Sequence, residues 1–123
     1  MPATAILLFA HGARDPDWAV PFEAIRDRLR SAGLKVELAF LEVMTPSLES
    51  AAARLADDGV EAVTIVPLFL AQGGHLKRDL PAMVEKIRER HANTAFRVTP
   101  ALGDAPEIVD AITDWVRRAA SSR

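Results

Sequence analysis

Two histidines and a glutamate fall where short apolar runs end. His11 follows Leu7-Leu8-Phe9-Ala10 in the stretch LLFAHGARDPDW, Glu42 follows VELAFL, and His75 follows PLFLAQGG. Imidazoles accept and release protons near neutral pH. Two of them with one carboxylate also make a weak nitrogen and oxygen ligand set for a divalent cation. Each residue has a plainer role open to it as well. A histidine at a strand end can satisfy a backbone group, Glu42 can favour the N-terminus of a following helix, and Gly73-Gly74 before His75 suits any tight turn. His91, near Arg88 and Arg90, reads as a solvated surface residue.

Cations stand beside the two histidines: Arg14 near His11, and Lys77 and Arg78 after His75. They can face the carboxylates of an anionic ligand or form an ordinary charged surface. Asp15 and Asp79 are expected to cap helices. No GxxxxGK[ST] loop, GxGxxG turn or GxSxG elbow occurs, so nothing points to ATP-driven chemistry, a dinucleotide or a serine nucleophile. With no cysteine in the chain, thiolate metal sites and disulfides are excluded.

The elements that must hold these residues follow from periodicity. Ala5 to Phe9, Val36 to Leu41, Ala62 to Val66 and Phe96 to Thr99 read as strands, and the first is continuously apolar, as in a sheet covered on both faces. Trp18, Phe22, Ile25 and Leu29 share one helical face between Pro16 and Ala32, with Pro21 confining or kinking its first turn and Gly33 ending it. Thr45-Pro46 is expected as N-cap and first helical residue, before Leu48, Ala51, Ala52 and Leu55, with Gly59 as the stop. Leu68 to Leu70 should stay extended and buried. Ala71 to Asp79 reads as a loop, and the third helix follows with Leu80, Met83, Val84 and Ile87 inward. Asp104 and Glu107 have capping-box spacing ahead of an amphipathic helix carrying Ile108, Ile112, Trp115 and Val116. The tail AASSR is expected to fray.

This order, βαβαβαβα over 123 residues, predicts one domain: a small open α/β fold with a four-stranded parallel sheet and helices on both faces. Ligands of such sheets bind outside the carboxyl ends of the strands, which is where His11, Glu42 and His75 fall. The net charge of -2 argues against a general nucleic-acid binder. The N-terminal apolar run is too short for a membrane span and lacks a basic leader, so a cytoplasmic location is expected.

The motifs FAHGARDP, FLEVMTPSL and PLFLAQGGHLKRDLP together resemble the small, CbiX-type sirohydrochlorin cobaltochelatases, in order and spacing over nearly the whole chain. Ala13 stands where that family commonly has serine. The resemblance implies a chelatase-like domain equivalent to one half of the two-domain class II chelatases. It implies ATP-independent insertion of Co²⁺, Fe²⁺ or Ni²⁺ into sirohydrochlorin, for cobalamin or sirohaem, with the metal as substrate, no organic cofactor, and a homodimer. His11 and His75 then resemble the metal-binding and catalytic histidines, and Glu42 an acidic active-site residue. Leu70, Ala71, Gln72, Gly73, Gly74 and His75 resemble the tetrapyrrole loop, with Arg14 beside it. The competing reading is a non-catalytic protein that binds and delivers metal or tetrapyrrole.

Overall fold

A computed structural model describes residues 3–121. The apolar runs become four strands, β1 (Thr4–Ala10), β2 (Val36–Phe40), β3 (Ala62–Pro67) and β4 (Ala95–Val98). They form one all-parallel sheet in the order β2-β1-β3-β4. The helices are α1 (Val20–Ser31), α2 (Leu48–Asp57), α3 (Gly74–Arg90) and α4 (Pro106–Ser121), with 3-10 turns at Pro16–Ala19 and Leu102–Asp104. The expected α/β class and parallel sheet are therefore what the chain adopts.

Alternation along the strands sorts the core into two layers. Leu7, Phe9, Ala39, Val63, Ile65 and Phe96 meet Leu48, Leu55, Leu80, Val84 and Ile87 of α2 and α3. On the opposite face Leu8, Ala10, Val36, Leu38 and Phe40 meet Trp18, Ala19, Phe22 and Leu29. Ile25, expected inward, is exposed, because α1 rests on the sheet through a narrow stripe and none of its residues is buried. Leu70 is also exposed: the chain leaves the sheet after Phe69.

Five local expectations are corrected. α3 begins at Gly74, not after Asp79, so His75 lies in its first turn and Asp79 is an interior residue rather than a cap. Leu76, Leu80, Val84 and Ile87, all buried, hold that turn in the helix although Pro81 offers no N–H to the carbonyl four residues back. α2 is capped by Ser47, whose hydroxyl accepts from the Ser50 amide. Thr45-Pro46, joined by a cis peptide, precedes it, and the Pro46 carbonyl still accepts from Phe40 N–H at 2.9 Å, so the segment is extended there.

Asp104 closes its 3-10 turn instead of capping α4, which opens at Pro106. His91 is the C-cap of α3 and half-buried, its ring 6.4 Å from Phe96. Asp15 caps as expected, accepting from the Asp17 amide at 2.9 Å, and Gly33 and Gly59 follow α1 and α2. Ala119 to Ser121 of the tail are helical; Ser122 and Arg123 lie outside the described residues.

Thr94 is the one buried polar residue among those described, and its hydroxyl donates to the Val60 carbonyl at 2.8 Å. Replacing it with alanine strands that carbonyl. Thr94→Ala should cost about 1–2 kcal/mol, read as a thermal midpoint lowered by about 5 °C. An unchanged midpoint would mean the bond is replaced by water.

Candidate functional site

The strand order reverses direction between β1 and β3, and such a reversal opens a crevice outside the carboxyl ends of those strands, beside His11. His11 is the first residue past β1. The β1–β2 ladder continues beyond the strand ends: Leu41 N–H donates to Ala10 O at 2.9 Å, and Glu42 N–H to His11 O at 3.1 Å. His11 and Glu42 are thereby register neighbours, with His11 Nε2 3.9 Å from Glu42 Oε1. Both side chains are open to solvent, 54% and 62% exposed, so they can exchange protons or ligands directly. The separation is an ion pair when the ring is protonated and leaves room between them when it is not.

The third strand supplies a wall. Leu68 N–H donates to Phe9 O at 2.8 Å, which carries the chain past Pro67 and sets the Phe69 ring edge-on to His11, centroids 5.7 Å apart. Phe9 packs edge-on beneath Phe69 at 5.6 Å. Phe69 thus joins the His11 ring to the hydrophobic core, a role its sequence position among apolar neighbours did not distinguish.

Two backbone features fix Glu42. Gly12 has φ +96°, and a Cβ there would collide with the Glu42 carbonyl. That carbonyl in turn accepts from Met44 N–H at 2.7 Å, across Val43 at φ +69°. A three-residue turn with a positive central φ is rare and strained, and for a β-branched residue it is a true outlier. Such strain concentrates at functional sites. Here it leaves Val43 exposed beside Glu42. Nothing in the residue type signals this conformation.

His75 is exposed in the first turn of α3, which has Gly73 at its N-cap and no side-chain cap. Its Nδ1 lies 3.5 Å from an Arg78 guanidinium nitrogen, and Arg78 Nε donates to Gly74 O at 3.3 Å. A guanidinium only donates, so this contact selects the tautomer with the Nδ1 lone pair free. Among the described residues no three histidine, aspartate or glutamate side chains gather closely enough to hold a metal ion. The structure pairs His11 with Glu42 and leaves His75 outside that pair.

Leu70, Ala71, Gly73 and Gly74 form an exposed loop, with Gln72 half-buried, leading into α3. A cleft of about 440 Å³ beside His11 is lined by Arg14, Phe40, Val43 and Met44, and one of about 450 Å³ beside the loop by Gln72, Lys77, Arg88 and Asp104. Arg14 and Lys77 thus serve different clefts. No described helix is long and apolar enough to cross a membrane.

The family model described as CbiX matches residues 5–119. A sirohydrochlorin cobaltochelatase of Sulfurisphaera tokodaii is 37% identical over 83 residues, 68% of this chain and 69% of that protein. A sirohydrochlorin ferrochelatase of Priestia megaterium is 29% identical over 91% of this chain, which spans only 43% of that longer protein. In structure, a protein of Marinobacter aquaeolei described as a cobalamin (vitamin B12) biosynthesis CbiX protein superposes with a TM-score of 0.84 at 36% identity, covering 96% of this chain and 98% of its own. With a match that runs from β1 to α4 and takes in His11, Glu42 and His75, the chain belongs to the CbiX family.

Proposed function

We propose that this protein inserts a divalent metal, cobalt or iron, into sirohydrochlorin without ATP, in cobalamin or sirohaem synthesis. The observation that carries the reading is the exposed His11–Glu42 pair, locked in register past the carboxyl ends of β1 and β2, in a chain whose relatives are named for this reaction. Insertion of M²⁺ expels two pyrrole protons. Neutral His11 receives a proton or holds the ion in transit, and Glu42 offsets the incoming charge. Nitrogen and oxygen ligands suit a metal that must leave again, where thiolates would retain it. His75 is assigned the second metal-handling imidazole, which requires its lone pair to exchange Arg78 for the ion.

The substrate is a polycarboxylate with a flat apolar ring. Exposed Leu70 and Val43 offer apolar surface to that ring, and Ala71, Gln72, Gly73 and Gly74 offer backbone contact. We assign Arg14, Lys77 and Arg78 to its carboxylates, which a cation can meet with a charge-assisted hydrogen bond. We assign Co²⁺, Fe²⁺ or Ni²⁺ the role of substrate, no organic cofactor, and a cytoplasmic homodimer of single chelatase-like domains as the working unit.

Mixing the protein with sirohydrochlorin and Co²⁺ or Fe²⁺ should change the tetrapyrrole absorption spectrum faster than the protein-free blank, with more than one product per chain. Glu42→Gln should slow that change about 100-fold, the lower end of what one acid–base or charge-offsetting group contributes. Binding without turnover would favour the delivery reading instead.

A further inference from the structure

An imidazole that handles protons or metal is ordinarily aimed by a hydrogen bond on one of its ring nitrogens. Among the described residues the His11 ring has no such bond. The carboxylate beside it, Glu42 Oε1, stands 3.9 Å from Nε2, beyond hydrogen-bonding reach. The ladder bond from Glu42 N–H to His11 O fixes the backbone and leaves both side-chain torsions free. The side chain is open to solvent, so packing does not enclose it either.

What the ring does touch is Phe69, at 88° to it with centroids 5.7 Å apart. This is the edge-to-face arrangement that aromatic pairs prefer. A contact can orient its neighbour only if it is itself held. Phe69 is buried, and its ring lies at 86° to that of Phe9, 5.6 Å away. Phe9 in turn has no exposed surface and belongs to the core layer that meets α2 and α3.

The backbone around Phe69 is pinned from two directions. Leu68 N–H donates to Phe9 O at 2.8 Å, and Gly103 N–H donates to the Phe69 carbonyl at 3.1 Å. A Cβ at Gly103 would collide with the Leu70 carbonyl, so glycine is what lets the Leu102–Asp104 turn lie against this segment. Ala101, just ahead of that turn, is buried in the same core layer as Phe69. The ring that meets His11 is therefore fixed by β1 on one side and by the turn after β4 on the other.

We propose that Phe69 is a positioning residue of metal insertion, holding the His11 imidazole beside Glu42 in the rotamer that receives the proton or the ion. The inference rests on the role given to His11 above. Without the ring contact the imidazole returns to its other staggered rotamers, and only the fraction in the competent one reacts. An edge-to-face pair biases such an equilibrium by about two- to tenfold, which sets the size of the loss. The loss falls on kcat, because Phe69 is buried and offers a macrocycle almost no surface.

The contact and its consequence can be measured separately. In the wild-type chain, nuclear Overhauser cross-peaks should join the protons of the His11 and Phe69 rings. Phe69→Leu keeps an apolar side chain and should shift the His11 ring resonances. Phe69→Tyr keeps the ring and should leave them near their wild-type positions. In the insertion assay Phe69→Leu should lower kcat by about two- to tenfold with KM for sirohydrochlorin unchanged, and Phe69→Tyr should restore it. Absent cross-peaks, full kcat in Phe69→Leu, a loss carried by KM instead, or a loss that Phe69→Tyr leaves unrestored would each overturn the role. A wild-type chain that inserts no metal would remove the reaction, and the cross-peaks would still decide whether Phe69 holds His11. Should a variant fail to fold, the wild-type cross-peaks decide as well.

Discussion

His11→Ala should lower the rate of metal insertion by about 100-fold or more while leaving the fold intact. The size follows from the role: a positioned acid–base group contributes about 10²–10⁴ in rate. The fold should survive because the His11 side chain is 54% exposed and its one ring contact is the Phe69 edge. Substitutions at such positions stay near ±0.5 kcal/mol. The measurement is initial rate with sirohydrochlorin and Co²⁺, alongside a thermal melt. His75→Ala should show a comparable loss. If either variant retains full rate, the role given to that histidine is wrong. If both retain it, the site lies elsewhere.

Gly12→Ala should be strongly damaging to both fold and rate. It combines two costs. The positive φ disfavours any Cβ by about 1–2 kcal/mol, and forced overpacking adds about 1–3 kcal/mol. The atom struck is the Glu42 backbone carbonyl, not a side chain that can rotate aside. Relief therefore requires β1 and β2 to part where they hold His11 beside Glu42. The expected result is a midpoint lowered by about 10 °C and a rate reduced more than the fraction unfolded explains. Gly59→Ala is the control: φ is +82° there, but nothing lies within 4 Å of the added atom. Equal damage in both variants would assign the effect to backbone conformation and remove the clash from the account.

Much of this architecture was legible because the strands are apolar runs of the right length and topology then places their ends together. That logic put His11, Glu42 and His75 on one rim, of which the structure pairs the first two. It failed at α3, where Gly73-Gly74 reads as a turn and Asp79 as the cap. The spacing of Leu76, Leu80, Val84 and Ile87 was the stronger signal, since four buried side chains on one face outweigh one missing amide donor. It failed at Thr45-Pro46 because the Pro46 carbonyl accepts from Phe40 N–H, at the end of β2, which keeps that segment extended. Phe69 was read only as buried, and the strained turn at Val43 is set by the tertiary placement of Glu42, which residue type does not encode. For α4 the sequence announced an apolar stripe, which the structure leaves largely exposed, because amphipathicity does not encode what covers it.

The hydrogen bonds from Leu41 to Ala10 and from Glu42 to His11 have a consequence for time as well as place. Loops open and close independently of the domain, whereas central strands exchange their amides only when the whole structure does. Because the pairing of β1 with the edge strand β2 runs through His11 itself, its backbone opens with the end of that ladder and not as a free loop. The distance between its ring and Glu42 is therefore sampled by side-chain rotation alone, on nanoseconds. His75, in the uncapped first turn of α3, is free to fray on its own. One imidazole keeps the lifetime of a strand ladder's end and the other the lifetime of a helix end.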